Sequence, residues 1–174
     1  MLRIDNLTKR YGEKIAVNNL SLHIAPGEIY GFIGHNGAGK TSTLKCIVGI
    51  QDFDEGEIYI NSKSIKTNPI ECKSELAYIP DNPDLYEYMT GTQYLHFIAG
   101  IFQIEDVTRR ERIQLYAQQF DLTKDLTLAI AAYSHGMKQK LAIVAAWLHA
   151  PRLIVMEDEL LSVLPQRRPI RSKK

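Results

Sequence analysis

Gly34-His35-Asn36-Gly37-Ala38-Gly39-Lys40-Thr41 fits the pattern G-x-x-x-x-G-K-[ST], which cradles phosphates when it joins a strand to a helix. Glycines at 34, 37 and 39 let the backbone turn tightly and bring successive N–H groups within reach of phosphate oxygens, where bulkier residues would stand in the way. Those amides and the start of the following helix form a concavity of partial positive charge. Lys40 adds a full charge for the β- and γ-phosphates, and the Thr41 hydroxyl is of the type that ligates the accompanying Mg²⁺. The candidate nucleotide-binding set is therefore Gly34, His35, Asn36, Gly37, Ala38, Gly39, Lys40, Thr41 and Ser42. Its context agrees. Glu28-Ile29-Tyr30-Gly31-Phe32-Ile33 reads as a short apolar strand, and Leu44, Ile47 and Val48 come after the loop at helical spacing.

A chain of 174 residues, 45% apolar and 24% charged, is large enough for one globular domain with a core. The longest apolar stretch, Leu141 to Leu148, is far short of the roughly 20 residues that span a bilayer, and Met1-Leu2-Arg3-Ile4-Asp5 does not open a signal peptide. The expected location is the cytoplasm. Cys46 and Cys72 have neither metal-ligand spacing nor the density of a disulfide scaffold, and read as reduced thiols, Cys46 in the core. The net charge of +1 is uneven: Arg167, Arg168, Arg171, Lys173 and Lys174 place five positive charges in the last eight residues, leaving −4 on everything before them. The body thus offers no basic field for nucleic acid, and residues 166–174 read as a basic, disordered tail.

Along the chain, Leu2 and Ile4, then Leu20, Leu22 and Ile24, alternate with polar residues as half-buried strands do, and Pro26-Gly27 marks a turn. Ile58-Tyr59-Ile60 and Ala77-Tyr78-Ile79 are further strand candidates. From about Gly91 to Ala150 the pattern is helical: Tyr94, Leu95, Ile98 and Ile101 share one face, and Ile113, Tyr116, Ala117 and Phe120 another. These patterns together imply an α/β domain with a helical insert.

Tyr133-Ser134-His135-Gly136-Met137-Lys138-Gln139-Lys140-Leu141 precedes an apolar helix that ends near His149, with Pro151 stopping it. These residues resemble the signature loop of ABC-type ATPases, in the Tyr-Ser-His-Gly-Met variant found in some bacterial export subunits. The resemblance runs from residue 2 to about 165, taken as the ATP-binding domain. It implies a P-loop fold of ABC type, with an antiparallel β subdomain, a mainly parallel core sheet and a helical insert at about 91–150. It also implies an ATPase that takes ATP and Mg²⁺, pairs with a second ATP-binding subunit and drives an integral membrane subunit from the inner face of the cell membrane. In that arrangement Ser134, His135, Gly136 and Met137 meet the γ-phosphate of ATP held by the opposite subunit. The chemistry is reasonable, since hydroxyl, amides and helix N-terminus all suit an anion, although an N-cap without a ligand uses the same residues.

The resemblance assigns further positions. Tyr11, in Lys9-Arg10-Tyr11-Gly12, matches the aromatic that stacks on adenine. After Ile79-Pro80 the family usually places a glutamine that senses Mg²⁺. Asp81 stands there instead, and could hold metal through water but cannot donate a hydrogen bond when ionised. Leu153-Ile154-Val155-Met156 is the expected buried strand, which should lead into an aspartate for Mg²⁺ and a glutamate that activates water. The chain gives Glu157-Asp158-Glu159. One register assigns Asp158 to the metal and Glu159 to the base but lengthens the strand by a residue; the other keeps the strand and assigns Glu157 and Asp158. The first is preferred. Either register predicts impaired hydrolysis, because a misplacement of about 1 Å costs on the order of 100-fold in rate.

The resemblance also implies a further helix, a strand with a switch histidine and closing sheet elements, whereas the chain stops at Lys174 and none of its five histidines lies beyond residue 157. A shifted reading frame near Glu157-Asp158-Glu159 would account for both the irregular acids and the tail; a naturally shortened domain is the competing account. The alternative functions are a nucleotide-binding fragment with little hydrolysis and a soluble ABC-type ATPase acting on nucleic acid, the latter disfavoured by the body's charge.

Overall fold

A computed structural model describes residues 1–157. These residues divide into two compact units: Met1–Tyr78 with Pro151–Val155, and Ile79–Ala150 with Met156 and Glu157.

The first unit is built on an antiparallel sheet of order β2-β1-β3-β4, with β1 at Leu2–Tyr11, β2 at Lys14–Ile24, β3 at Glu55–Ile60 and β4 at Lys63–Ser64. Alternation does what period-two patterning requires: Leu2 sits between Ile24 and Ile60, Ile4 between Leu22 and Ile58, and Leu2, Ile4, Ile24, Ile58 and Ile60 are buried. The pattern then breaks. Asn6 adopts a left-handed φ of 51°, the register shifts between Asp5 and Thr8, and Leu7 turns inward. Gly56 makes this bulge possible, because a Cβ there would lie 2.5 Å from the carbonyl oxygens of Asp5 and Asn6. Tyr11 pairs with Lys14 across the two-residue Gly12-Glu13 turn, so the tyrosine ends its strand at a tight hairpin.

Helix α1, Lys40–Ile47, buries Thr43, Cys46 and Ile47 against the sheet's apolar residues. Burial pushes the Cys46 thiol up to about 11, so it is a packing group. The helix ends at Gly49, φ 66°, after which Ile50 N donates to Lys45 O at 3.0 Å and Gln51 N to the same oxygen at 3.2 Å. A short helix α2, Pro69–Glu75, leads into β5, Leu76–Ile79, which pairs with β6, Leu153–Met156. Arg152 N donates to Glu75 O at 2.8 Å and Glu157 N to Ile79 O at 3.1 Å, so the two strands run parallel.

One expected element does not form as a strand. Residues 28–33 join no ladder among the described residues, and Ile29 and Ile33 are 98% and 99% exposed. Apolar composition favours a strand locally, but a strand exists only through a neighbour's N–H and C=O groups, and β5 and β6 here pair with each other.

The second unit is helical: α3 at Gly91–Ile101, α4 at Asp106–Gln119 and α5 at His135–Trp147. Thr90 and Gln93 form a reciprocal capping box at the start of α3, with Gln93 N to Thr90 Oγ1 at 3.2 Å and Thr90 N to Gln93 Oε1 at 2.9 Å. Leu95, Ala99, Ile113, Ala117, Leu141, Ile143 and Val144 form its core. Ile101, assigned by periodicity to the apolar face of α3, is 58% exposed because the helix ends there and the packed stripe has run out.

Candidate functional site

Within the first unit the glycine loop leads into α1 through two left-handed glycines, Gly37 at φ 85° and Gly39 at φ 86°. Left-handed backbone costs an L-residue free energy that glycine avoids. Ala38 N donates to His35 O at 3.2 Å, tightening the turn, while Thr43 Oγ1 and Thr43 N both donate to Gly39 O at 2.9 and 2.8 Å. The Lys40 ammonium folds back over the loop, donating to the carbonyls of Gly34 and His35. His35 Nδ1 lies 2.9 Å from Asn36 O. Residues 34–38 and Thr41 are exposed, and no acidic residue sits in the first turn of α1. The result is an open, positively biased helix start with one ammonium beside it, which fits a polyphosphate. The exposed Thr41 hydroxyl is a hard oxygen donor suited to Mg²⁺.

Tyr11 belongs to the same neighbourhood. Its hydroxyl donates to Gln51 Oε1 at 2.7 Å and lies 3.2 Å from Ser42 Oγ, so two expected nucleotide-binding residues, Tyr11 and Ser42, are joined. Its ring is 46% exposed, with the Lys9 ammonium 5.2 Å from the centroid.

In the second unit, Ser134 is the N-cap of α5, its Oγ accepting from Met137 N at 3.3 Å. Ser134 and His135 are exposed, and a Cβ on Gly136 would meet nothing within 4 Å. Tyr133 is buried and donates to Asp125 O at 2.8 Å. Burial raises its phenol above the usual range. Gly91 makes room for that ring, since a Cβ there would stand 2.4 Å from the Tyr133 oxygen.

Gln139, one turn after His135, is a residue that the sequence did not mark. It is 5% exposed; its Nε2 donates to Asp81 O at 3.3 Å and lies 2.9 Å from His135 Nε2. The amide nitrogen carries the protons, so the imidazole Nε2 accepts and its own proton resides on Nδ1. Asp81 N donates to Glu157 Oε2 at 3.1 Å, and Asp81 Oδ1 is buried with no partner among the described residues. His135, Gln139, Asp81 and Glu157 thus form one connected chain. The i, i+4 spacing of His135 and Gln139 was available in the sequence; the link to Asp81, 58 residues away, was not. Asp158 and Glu159 lie outside the described residues. Among those described, no three His, Cys, Asp or Glu side chains cluster as a metal site, and no helix is long and apolar enough to cross a membrane.

Residues 17–161 match the family model described as ABC transporter. The chain is 33% identical over 165 residues to the ABC-type transporter ATP-binding protein EcsA of Bacillus subtilis, covering 95% of this chain and 67% of EcsA. It is 31% identical over 160 residues to the bacitracin transport ATP-binding protein BcrA of Enterococcus faecalis, covering 92% of this chain and 51% of BcrA. A solved structure described as the ATP binding subunit of an ABC transporter superposes with a TM-score of 0.87 at 32% identity, over 94% of this chain and 68% of the other. The chain spans about two thirds of one curated relative and half of the other. With a family model matching most of its length and a relative 33% identical that it covers to two thirds, the chain belongs to the ABC transporter ATP-binding protein family.

Proposed function

We propose that this chain binds MgATP as the nucleotide-binding subunit of an ABC transporter and couples its hydrolysis to transport through a separate membrane subunit, at the cytoplasmic face. The observation that carries the proposal is the loop itself: Gly37 and Gly39 in left-handed conformation at the start of α1, with Lys40 over the loop carbonyls. In this reading the loop amides and Lys40 take the phosphates, Tyr11 takes the adenine face, and Ser134, His135, Gly136 and Met137 meet the nucleotide of a second subunit. Gly136 supports that last role. A helix-start glycine with open space around it costs roughly 0.5–1 kcal/mol relative to alanine and answers to no need inside the described chain. Close approach by another molecule would require it.

Mg²⁺, when bound, would supply positive charge to the phosphates; the resemblance proposes Thr41, Asp158 and Asp81 as residues that would hold it. For the acidic segment, Asp158 on the metal and Glu159 as base is the proposed register, with Glu157 and Asp158 as the alternative; Glu157 Oε2 accepts from Asp81 N. The first register lengthens the strand by a residue, and the second puts at the base position an aspartate one methylene shorter than glutamate, so either displaces the base. That supports a second reading, in which ATP is bound with little turnover.

Equilibrium ATP binding beside steady-state phosphate release tests both. Lys40→Ala should abolish binding at unchanged fold; a variant that still binds ATP like the parent defeats the proposal. If turnover is present, its loss in Asp158→Asn but not in Glu159→Gln selects the Glu157/Asp158 register, and the reverse selects the other. Release no faster than that of Lys40→Ala selects binding without hydrolysis.

A further inference from the structure

Tyr11 closes its strand at a hairpin, yet its phenol oxygen is fixed by one residue inside helix α1 and one just beyond it. Its single O–H is committed to Gln51 Oε1 at 2.7 Å, so the 3.2 Å contact with Ser42 is made by the serine hydroxyl donating to the phenol oxygen. Ser42 lies in the first turn of α1, immediately after Lys40 and Thr41. Gln51 lies just beyond the other end of α1, where its own N–H caps the Lys45 carbonyl at 3.2 Å. The ring is therefore tied at its tip to both ends of the helix that carries the phosphate-binding lysine, while almost half of its surface stays open.

We infer that Gln51 is a positioning residue for the nucleotide base: by accepting the Tyr11 hydroxyl it holds the aromatic platform at a fixed place relative to Lys40 and Thr41. The inference rests on the reading of Tyr11 as the adenine platform. A base that stacks on a ring gains most when the ring does not have to be ordered on binding, because the side-chain entropy has already been given up in the free protein. The tether does this without touching the nucleotide. It also keeps the Ser42 proton on Tyr11, leaving the serine's backbone N–H for the phosphate side.

Equilibrium binding of ATP and of inorganic tripolyphosphate, measured side by side, separates base from phosphate contributions. Gln51→Leu should weaken ATP by about three- to tenfold, the range of one hydrogen bond, with tripolyphosphate unchanged. Gln51→Glu, which keeps an acceptor for the phenol, should bind ATP as the parent does. Tyr11→Phe should reproduce Gln51→Leu and guards against a folding defect at residue 51. Tyr11→Ala should lose about tenfold or more for ATP alone. If Tyr11→Ala is selective for ATP but Gln51→Leu and Tyr11→Phe match the parent, the tether is overturned while the platform stands. If Tyr11→Ala leaves ATP unaffected, the platform falls and the tether with it. Equal losses for both ligands in Gln51→Leu would mark a general role in holding α1 and would also overturn the inference.

Discussion

Gly39 faces the backbone of Ala16 so closely that a β-carbon built on it would stand 2.2 Å from the Ala16 carbonyl oxygen. The phosphate loop is therefore seated directly on β2. Gly37, two residues earlier, has nearly the same dihedral, φ 85° against 86°, but open space where its Cβ would go. The pair separates dihedral cost from steric cost. Gly37→Ala is expected to lose about 1 kcal/mol, the left-handed penalty alone, and Gly39→Ala about 2–4 kcal/mol, because backbone rather than a flexible side chain must yield. Urea denaturation of the two variants measures the difference. Equal losses would mean that the loop can lift from the strand at no cost.

Gly136 leads to the opposite expectation. It opens α5 in a normal helical conformation with nothing near its Cβ position, so Gly136→Ala should leave the isolated chain as stable as the parent or up to about 1 kcal/mol more stable. The same substitution should reduce turnover sharply if a nucleotide on a second subunit approaches this backbone. A stabilised variant with parental phosphate release would remove Gly136 from the site.

These residues show how much was legible beforehand. The loop, the β1 and β2 strands and the three long helices can be read from spacing, because glycine conformation and apolar periodicity are local properties. The bulge at Asn6 was hidden, since it depends on Gly56 fitting against Asp5 and Asn6 from half a hundred positions away. The unpaired stretch 28–33 misled for the same reason in reverse: its composition is that of a strand, but pairing is decided elsewhere in the chain. Lys40 and Ser134 announce themselves by motif. Gln51 and Gln139 do not, because each is bonded through one side-chain amide to a partner 40 or 58 residues away in sequence.

Gln139 should therefore matter more than its anonymity suggests. Gln139→Leu keeps the volume but leaves the Asp81 carbonyl and His135 Nε2 without their donor, at an expected cost of about 1–3 kcal/mol. A double-mutant cycle with His135→Ala isolates the His135–Gln139 contact, with a coupling of roughly 0.5–1.5 kcal/mol in chemical denaturation. Strict additivity would show that the two side chains, although 2.9 Å apart, do not support each other.

Alkaline pH should unfold the second unit's core through its phenols. Burial, with the Tyr86 phenol adding to it, pushes Tyr94 up to about 12, and burial raises Tyr133 as well. A buried tyrosine is neutral when protonated, so the folded state holds the proton more tightly than the unfolded chain, where the phenol titrates near 10. The stability that depends on this is complete below about pH 10 and is lost as pH rises through the Tyr94 value near 12. Each such group removes about 1.4 kcal/mol per pH unit once the unfolded phenol ionises. Tyr94→Phe cannot ionise and should flatten the decline: its urea midpoint relative to the parent should rise progressively from pH 10 to 11, and the two should keep a constant offset between pH 7 and 9. A constant offset through pH 11 would show that the Tyr94 hydroxyl reaches water in the folded protein.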